Sequence, residues 1–269
     1  MPSCTGCSSG TERPMPGEIA TDRRLWELTG KDGLHFLQGL VSNDVRPLER
    51  ADGIVWAALL SPQGKYLADF FIVRLEGRLF IDISDRLAEA TFRRLGMYKL
   101  RADVQIAPLD LPVVRGLGEP PTGALPDPRH PDLGWRGYGL TGDAPSIDWD
   151  AIRVAHVIPE SGLELIPDDS YILESGFERL HGVDFRKGCY VGQEVTARMK
   201  HKTELRKGLV RVSISGDAPF GAEITADGKP VGTLFTRSGD RAIAFVRHDR
   251  AAGEMRAGEA VLALDRAET

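Results

Sequence analysis

The sequence predicts an α+β fold, in which a mixed α/β body is followed by a small C-terminal β-barrel. Before Leu205, strand-like and helix-like segments alternate and turn signals separate them, whereas the chain after Leu205 carries short β-branched runs. Residues 1–16 are small and polar and show no apolar period. We therefore predict a disordered tail over residues 1–16, a body over residues 17–204 and the barrel over residues 205–269.

The first third of the body predicts two helices around three strands. Apolar residues at helical spacing indicate a helix over residues 32–41, with Asp32 able to cap its N-terminus. Strand patterns follow, separated by turn signals, over residues 54–60, 66–75 and 79–83. The pair Ser84-Asp85 is expected to cap a second helix. The residues expected to share one face of that helix are Leu87, Ala88, Thr91, Phe92 and Leu95.

Residues 108–149 form a connector rich in proline and glycine. This stretch holds eight of the 17 prolines and seven glycines. Because proline and glycine interrupt regular elements, we expect loops and short edge strands between structured parts of the body. A connector without a function of its own is the simpler interpretation.

The C-terminal part predicts a closed barrel. Turn-like breaks at residues 216–217, 227–228 and 238–240 separate its β-branched runs. The predicted strands cover residues 208–214, 222–225, 231–236, 242–246 and 260–264. Several short strands in so little chain favour a closed barrel over an open sheet.

Composition is typical of a protein of the cytoplasm. The chain is 42% hydrophobic and 27% charged, and it has no apolar run near the ~20 residues that span a bilayer, nor an opening that resembles a signal sequence. Three cysteines, an odd number, favour a reducing compartment over a disulfide scaffold. The net charge of -5 argues against general nucleic-acid binding. We therefore expect a cytoplasmic protein without a membrane partner.

The run Lys187–Glu194, with the sequence KGCYVGQE, carries the strongest functional signal. It combines a single thiol, Cys189, with two glycines, an amide and a carboxylate, just before a helical pattern. A helix start and the neighbouring cations Arg186 and Lys187 all favour a thiolate. The motif therefore predicts an accessible, activated cysteine; the alternative is a small buried hydrophobe.

The motif KGCYVGQE resembles the signature of the YgfZ family of folate-binding proteins, which includes a mitochondrial iron–sulfur maturation factor and is related to the aminomethyltransferase (T-protein) of the glycine cleavage system. The resemblance covers roughly residues 17 to 265 and is least in the middle third. The other matching positions are Gly30–Gly33, Phe36–Leu40, Ser42–Asp44, Leu59–Lys65, Asp69, Arg153, Ile158–Glu160 and Glu174.

The resemblance implies a ring-like aminomethyltransferase-type fold with antiparallel sheets and with tetrahydrofolate in its central hole. It implies a folate-dependent accessory factor in the assembly or repair of iron–sulfur (4Fe-4S) proteins, whose partners are client or assembly proteins. A folate-dependent aminomethyl or C1 transferase and a non-catalytic folate-binding module are the alternatives. Ala68 stands where the related aminomethyltransferases have the first of two adjacent acids, which argues against aminomethyl transfer. Whether the protein is an enzyme stays open.

The resemblance also implies the site residues. Cys189 and Lys187 are the expected catalytic groups, and Glu174 is expected to recognise the pterin, because one carboxylate can accept two hydrogen bonds from its N–H edge. The other expected folate-binding residues are Arg153, Asp69, Tyr190 and Gln193. Arg153 could pair with Glu174 or with a folate carboxylate, or form a structural ion pair. Asp69, in an apolar strand, needs a partner or a function.

Two further features remain. A basic run after the thiol could steer the glutamate tail of folate, an RNA backbone such as tRNA, or an acidic protein, although a solvated helix end is the simpler explanation. This run consists of Arg198, Lys200, Lys202, Arg206 and Lys207.

Cys4 and Cys7 form a CxxC pair, but three cysteines cannot supply four thiolates, so we predict no resident metal. Met15 is a plausible alternative start.

Overall fold

The computed structural model describes residues 17–201, 204–251 and 253–265. Within them the strands before the barrel are β1 (Glu18–Ile19), β2 (Arg23–Thr29), β3 (Gly53–Leu60), β4 (Tyr66–Leu75), β5 (Arg78–Ser84), β6 (Gln105–Leu109), β7 (Val113–Gly116), β8 (Ala124–Pro126) and β9 (Trp135–Tyr138). The helices are α1 (Gly33–Gln38), α2 (Asp85–Tyr98), α3 (Trp149–His156) and α4 (Gln193–His201), with 3-10 helices at Arg46–Glu49 and Pro131–Leu133. The predicted tail, with Cys4, Cys7 and Met15, lies outside the described residues, as does Lys202.

The central sheet is antiparallel and five-stranded, in the order β3-β4-β5-β2-β6. Its predicted strands 54–60, 66–75 and 79–83 are confirmed as β3, β4 and β5. Every residue of β4 from Tyr66 to Val73 is buried, so both faces of this strand are covered. The strand therefore carries its acid, Asp69, into the core.

The two predicted helices of this region differ in how well they match. α1 ends at Gln38, and Asp32 does not cap it with its side chain; the carboxylate instead accepts the N–H of Asp103 at 2.9 Å. The capping prediction was wrong because a distant loop takes the acceptor. α2 begins at Asp85 with Ser84 at its N-cap position, as predicted, but the Ser84 side chain makes no capping hydrogen bond. Phe92 is 38% exposed and packs edge-on against Trp26, with 5.4 Å between the ring centroids.

The proline-rich connector folds into more than loops. Its short strands join β1 in a second antiparallel sheet, in the order β1-β7-β9-β8. Trp135 and Val114 are buried there. The connector's proline and glycine content keeps the strands short, whereas pairing with residues 18–19, almost a hundred positions earlier, gives them a partner that the local pattern did not reveal.

The C-terminal strands form a closed barrel in the order β10-β13-β12-β11-β14-β15, as predicted. They are β10 (Lys207–Ser215), β11 (Glu223–Ala226), β12 (Lys229–Ser238), β13 (Arg241–Arg247), β14 (Met255–Ala257) and β15 (Ala260–Leu264). The sequence missed β14, because its three residues carry no β-branched side chain. The barrel core includes Val212, Ile224, Leu234, Val246 and Leu262. The division at residues 204/205 stays a prediction.

α3 and a buried carboxylate join the barrel to the rest of the molecule. Glu164 accepts hydrogen bonds from the hydroxyl of Thr236 on β12 and from the guanidinium of Arg153 on α3. Leu209 of β10 donates its N–H to the carbonyl of Glu174 at 2.9 Å. These contacts fix the Glu174 segment against the barrel. No helix within the described ranges is long and apolar enough to cross a membrane.

Candidate functional site

Cys189 lies on an exposed loop that leads into α4. It is the free cysteine of the described residues, and it is exposed. Gly188 and Gly192, on either side of it, have positive φ values of 99° and 83°, which side-chain-bearing residues rarely adopt. α4 begins at Gln193. The loop therefore presents the thiol to solvent close to a helix start, unlike a cysteine that only packs.

Two glycines bring this loop into contact with the turn between β3 and β4. A Cβ placed on Gly192 would lie 2.5 Å from the carbonyl oxygen of Ser61. A Cβ on Gly64 would lie 2.7 Å from the Cβ of Val195, on α4. Because a Cβ would collide with the backbone at Gly192 and with the Val195 side chain at Gly64, only glycine fits at either position without displacement. The turn Ser61–Lys65, with the sequence SPQGK, thus contacts and supports the cysteine loop.

Lys187 is buried and anchors the loop to α1. Its ammonium donates hydrogen bonds to the carbonyl oxygens of Gln38 at 2.6 Å and Val41 at 2.5 Å, and the amide of Gln38 donates to the Lys187 carbonyl at 3.1 Å. Burial lowers the pKa of Lys187 to about 8. The ammonium therefore points to the end of α1, whereas Arg186, three positions before Cys189, is exposed.

The Ser42-Asn43-Asp44 motif holds the segment that precedes the loop. Ser42 donates its hydroxyl to the carbonyl of Gly182 at 2.6 Å and accepts the N–H of Ala58. Asn43 donates to the carbonyls of His181 at 2.6 Å and Trp56 at 2.8 Å. The motif therefore bridges β3 and the 181–184 segment, and its contribution to the site is positional.

Tyr190 and Gln193 close the loop on itself. The side-chain oxygen of Gln193 accepts the backbone N–H of Tyr190 at 3.1 Å. The Tyr190 ring lies 4.8 Å from the ammonium of Lys187, and burial raises the pKa of its hydroxyl. These contacts are internal to the motif. The expected contact of both residues with folate stays a prediction.

Glu174 lies on the wall of an open cavity of about 770 Å³. Its residue is only 9% exposed, and burial raises the pKa of its carboxyl, which does not fit a solvated surface acid. The nearest cation is the ammonium of Lys207, 3.6 Å from its Oε2. The other lining residues are Met199, Glu204, Leu205, Arg206 and Arg247. Cavities of roughly 300–1,000 Å³ are typical of small-molecule sites.

Asp69 is occupied by protein groups. One oxygen accepts the indole N–H of Trp56 at 2.8 Å, and the other accepts the hydroxyls of Tyr66 at 2.5 Å and Ser161 at 2.6 Å. The charge in an apolar strand is thus satisfied by three donors. Burial raises the pKa of the Tyr66 hydroxyl, which keeps it a donor.

Arg153 forms a structural cluster instead of pairing with Glu174. Its guanidinium binds Glu164, Asp150 at 2.7 Å and the carbonyl of Ile158 at 3.2 Å. The expected partner Glu174 is held by Lys207. Arg153 also borders two smaller cavities of about 20 and 160 Å³, away from the Glu174 residues. The ion-pair alternative therefore describes Arg153 in this structure.

A buried ion cluster that sequence reasoning missed joins the two sheets. Asp82 on β5 accepts hydrogen bonds from Arg23 at 2.6 Å, Arg136 at 2.7 Å and the Tyr138 hydroxyl at 3.1 Å. Burial alone would raise the pKa of Asp82, but Arg136 and Arg23 lower it to about 2. An acid within an apolar strand, as at Asp69, was the available signal.

The chain has relatives among proteins of known name. The mitochondrial iron–sulfur cluster assembly factor IBA57 homolog of Mycosarcoma maydis is 34% identical, in a match that covers 81% of this chain and 64% of that protein. The mitochondrial assembly factor IBA57 of Mus musculus is 30% identical, in a match that covers 87% of this chain and 78% of that protein. The chain spans 64% of the Mycosarcoma maydis protein's length and 55% of the Neurospora crassa homolog's.

The barrel and the overall fold have matches of their own. Residues 206–269 match the family described as CAF17, C-terminal beta-barrel domain. The crystal structure of glycine cleavage system aminomethyltransferase T from Bartonella henselae superposes with a TM-score of 0.74 at 14% identity, over 92% of this chain and 84% of that chain. The aminomethyltransferase-type fold predicted from the sequence is confirmed.

Proposed function

Because the chain belongs to the family of IBA57 iron–sulfur cluster assembly factors, we propose that it acts in the assembly or repair of iron–sulfur proteins, with the thiol of Cys189 as its reactive group. The observation that carries the proposal is the exposure of Cys189 on a glycine-framed loop. The hydrogen bonds of buried Lys187 to the end of α1 and the close contact with the β3–β4 turn hold that loop in place. A rigid base under an exposed thiol suits chemistry on a partner's surface.

The ligand that we propose for the Glu174 cavity is tetrahydrofolate. The residues present fit this molecule: Glu174 supplies an acceptor for the pterin N–H edge, and Arg206 and Arg247 supply cations for the carboxylates of the glutamate tail. When bound, a reduced folate supplies a carrier for one-carbon units. Glu174, which lies beside Lys207, would orient the pterin, and Arg206 and Arg247 would bind the carboxylates of the tail.

The proposed partners are iron–sulfur client or assembly proteins, which matches the names of the relatives. Two of the basic residues after the thiol form ion pairs with different acids of the chain: Lys200 pairs with Glu178, and Lys207 pairs with Glu174. tRNA contact through this run and a cytoplasmic location stay predictions.

Aminomethyl transfer is the weaker alternative. Ala68 is fully buried in the place where the related transferases have an acid. Asp69, beside it, already accepts three hydrogen bonds, so its carboxylate is committed to the core. The alternative of a non-catalytic folate-binding module predicts that the thiol is dispensable.

Complementation tests the proposal. In a strain that lacks the gene, the wild type should restore the activity of iron–sulfur enzymes, and Cys189→Ala should not restore it. A Cys4→Ser/Cys7→Ser variant is the matched control for the loss of thiols in general and should behave as wild type. Protein level and melting temperature are measured for each variant. Full rescue by Cys189→Ala would show that the thiol is dispensable and would favour the non-catalytic module.

A further inference from the structure

Three side chains of types that commonly bind metal ions lie close together at a site that includes neither Cys189 nor Glu174. The ligand atoms of His130, Asp132 and His156 all lie within 4.8 Å of one another. The imidazole rings of His130 and His156 stack with 3.9 Å between their centroids. The Nε2 of His156 lies 2.6 Å from a carboxylate oxygen of Asp132. The cluster unites two segments that are more than twenty residues apart and uses two of the chain's six histidines.

The fold holds these three residues in place. His130 and Asp132 flank the start of the 3-10 helix Pro131–Leu133, and the ring of His130 accepts the N–H of Asp132 at 3.2 Å. Leu133 is buried and fixes this turn to the core. His156 is the last residue of α3, where Val154 packs into the barrel-facing cluster. The cluster therefore sits on two ordered backbone elements.

The donor set matches a transition metal better than a hard cation. Two imidazole nitrogens and one carboxylate oxygen are ligands that Zn²⁺ and Fe²⁺ accept, whereas Mg²⁺ and Ca²⁺ prefer oxygen alone. Tetrahedral coordination at ~2.1 Å places ligand atoms ~3.4 Å apart, so side-chain shifts of about 1 Å would close the site. Burial and the neighbouring His156 lower the pKa of His130, which favours the neutral, ligating form of that ring.

Solvent access leaves room for a metal ion to enter. The side chain of His156 is 30% exposed and that of Asp132 is 61% exposed. The surrounding charges partly offset one another: Arg179 donates to the carbonyl of Val157 at 2.8 Å, next to His156, and Asp127 is paired with Arg129. Water would complete the coordination on the open side.

We propose that His130, Asp132 and His156 form a binding site for a divalent transition-metal ion of the Zn²⁺ or Fe²⁺ class. The ion replaces the hydrogen bond between His156 and Asp132 and joins the connector to α3. The site is independent of the thiol and of the folate cavity, because its residues are shared with neither. The sequence-based prediction of no resident metal rested on the number of cysteines. The spacing of His130, Asp132 and His156 along the chain matches no metal motif that the sequence analysis recognised.

Metal titration of the full-length, untagged protein tests the site. Zn²⁺ and, without oxygen, Fe²⁺ are titrated by calorimetry, and Co²⁺ serves as a spectroscopic probe of nitrogen and oxygen ligation. The wild type should bind one ion more than His156→Ala and Asp132→Asn, with at least a tenfold loss of affinity in each variant. Cys189→Ala and His35→Ala, which alters an exposed histidine elsewhere, should bind as wild type. Mg²⁺ should not compete.

The variants change partly exposed side chains, so circular dichroism should show them folded, and Asp132→Asn keeps the size of the side chain if His156→Ala is unstable. Binding should weaken as the pH falls and the imidazoles take up protons. Equal stoichiometry and affinity in wild type, His156→Ala and Asp132→Asn would overturn the proposal. So would a loss of binding in Cys189→Ala, since it would place the ion at the thiol.

Discussion

Cys189 and Lys187 are two residues apart, and the fold uses them in opposite ways. The thiol is exposed, whereas the ammonium is buried against carbonyl oxygens at the end of α1, where the helix dipole favours a cation. The expectation that Arg186 and the start of α4 favour a thiolate at Cys189 stays a prediction. The carboxylate of Glu174 has one cation, Lys207, at 3.6 Å, and the residue lines a cavity.

Exposure makes Cys189 a target for thiol reagents in the native state. A reagent should label the wild type without denaturant, and Cys189→Ala should lose one equivalent of label, as mass spectrometry would show. Since an exposed side chain contributes little to stability, this variant should melt within a few degrees of wild type. The Cys4→Ser/Cys7→Ser variant should keep the label at Cys189. Labelling of Cys189 only after unfolding would contradict this.

Glu174→Ala should weaken tetrahydrofolate binding. Loss of a charged hydrogen-bond acceptor typically costs on the order of 1.5–3 kcal/mol, or about one to two decades in affinity, as measured by calorimetry. Glu204→Ala is the matched control, because Glu204 lies on the same cavity wall but is exposed, and it should retain affinity. Unchanged binding by Glu174→Ala would remove this residue from the site.

At the scale of elements, the site depends on contacts between segments that are distant in sequence. The β3–β4 turn supports the cysteine loop through Gly64 and Gly192. The end of α1 binds Lys187. A buried acid, Asp82, ties β5 of the first sheet to β9 of the second. Each of these contacts connects two elements through backbone atoms or charged side chains. A single substitution at such a contact should therefore also affect the element on its other side.

Gly192→Ala should destabilise the protein more than Gly188→Ala. Both glycines have positive φ values, so each substitution costs about 1–2 kcal/mol in backbone strain. A Cβ on Gly188 meets nothing within 4 Å, whereas one on Gly192 meets the Ser61 carbonyl at 2.5 Å. Urea unfolding measures both, and the difference reports the contact with the turn. Equal losses would show that the contact does not matter.

Asp82→Asn should destabilise the fold strongly. It removes the buried carboxylate that Arg23 and Arg136 share, which leaves Arg136 only the weaker contact with Asp127 at 3.7 Å. Breaking a buried pair costs about 3–5 kcal/mol. Asp85→Asn, which breaks an exposed pair with Arg24, should cost less than about 1 kcal/mol. Urea unfolding at neutral pH compares the two. A loss for Asp82→Asn no larger than that of the control would contradict the assignment.

The same carboxylate sets an acid limit on stability. The pKa of Asp82 is lowered to about 2 in the folded protein, against an ordinary value of 3.8. Between these values the folded state therefore binds fewer protons than the unfolded state. The free energy of unfolding consequently decreases as the pH is lowered through this range. The contribution of Asp82 is present above pH 3.8 and is lost as the pH falls towards 2. Asp82→Asn should flatten this part of the stability profile, measured by thermal melting.

At the scale of the whole molecule, the chain shares its fold with an aminomethyltransferase at 14% identity, while its named relatives are iron–sulfur assembly factors. At this identity the match shows a common fold and nothing about a common site. In this chain residue 68 is an alanine, and Arg153, Glu164 and Thr236 join the body to the barrel.

The purified protein should therefore not replace the aminomethyltransferase in a reconstituted glycine cleavage assay. Ala68 offers no carboxylate, and Asp69 is held by Trp56, Tyr66 and Ser161. The authentic enzyme, added to the same mixture, is the positive control. Turnover by this protein at a comparable rate would promote the transferase alternative.

Local patterns in the sequence determined much of the architecture. Apolar runs and turn residues predicted β3, β4, β5 and the closed barrel, and KGCYVGQE predicted an accessible thiol before a helix. These features follow from periodicity, turn chemistry and a short motif, all of which are written within a few residues of chain.

Only the tertiary structure decided which partner each charged group meets. Lys187 binds the end of α1, Arg153 binds Glu164, and Asp69 binds Trp56. The second sheet needed β1, and the His130 cluster needed the end of α3. A hydrogen bond requires its two atoms within about 3 Å. That distance is set by which remote segments the fold brings together, so the spacing of residues along the chain does not contain it.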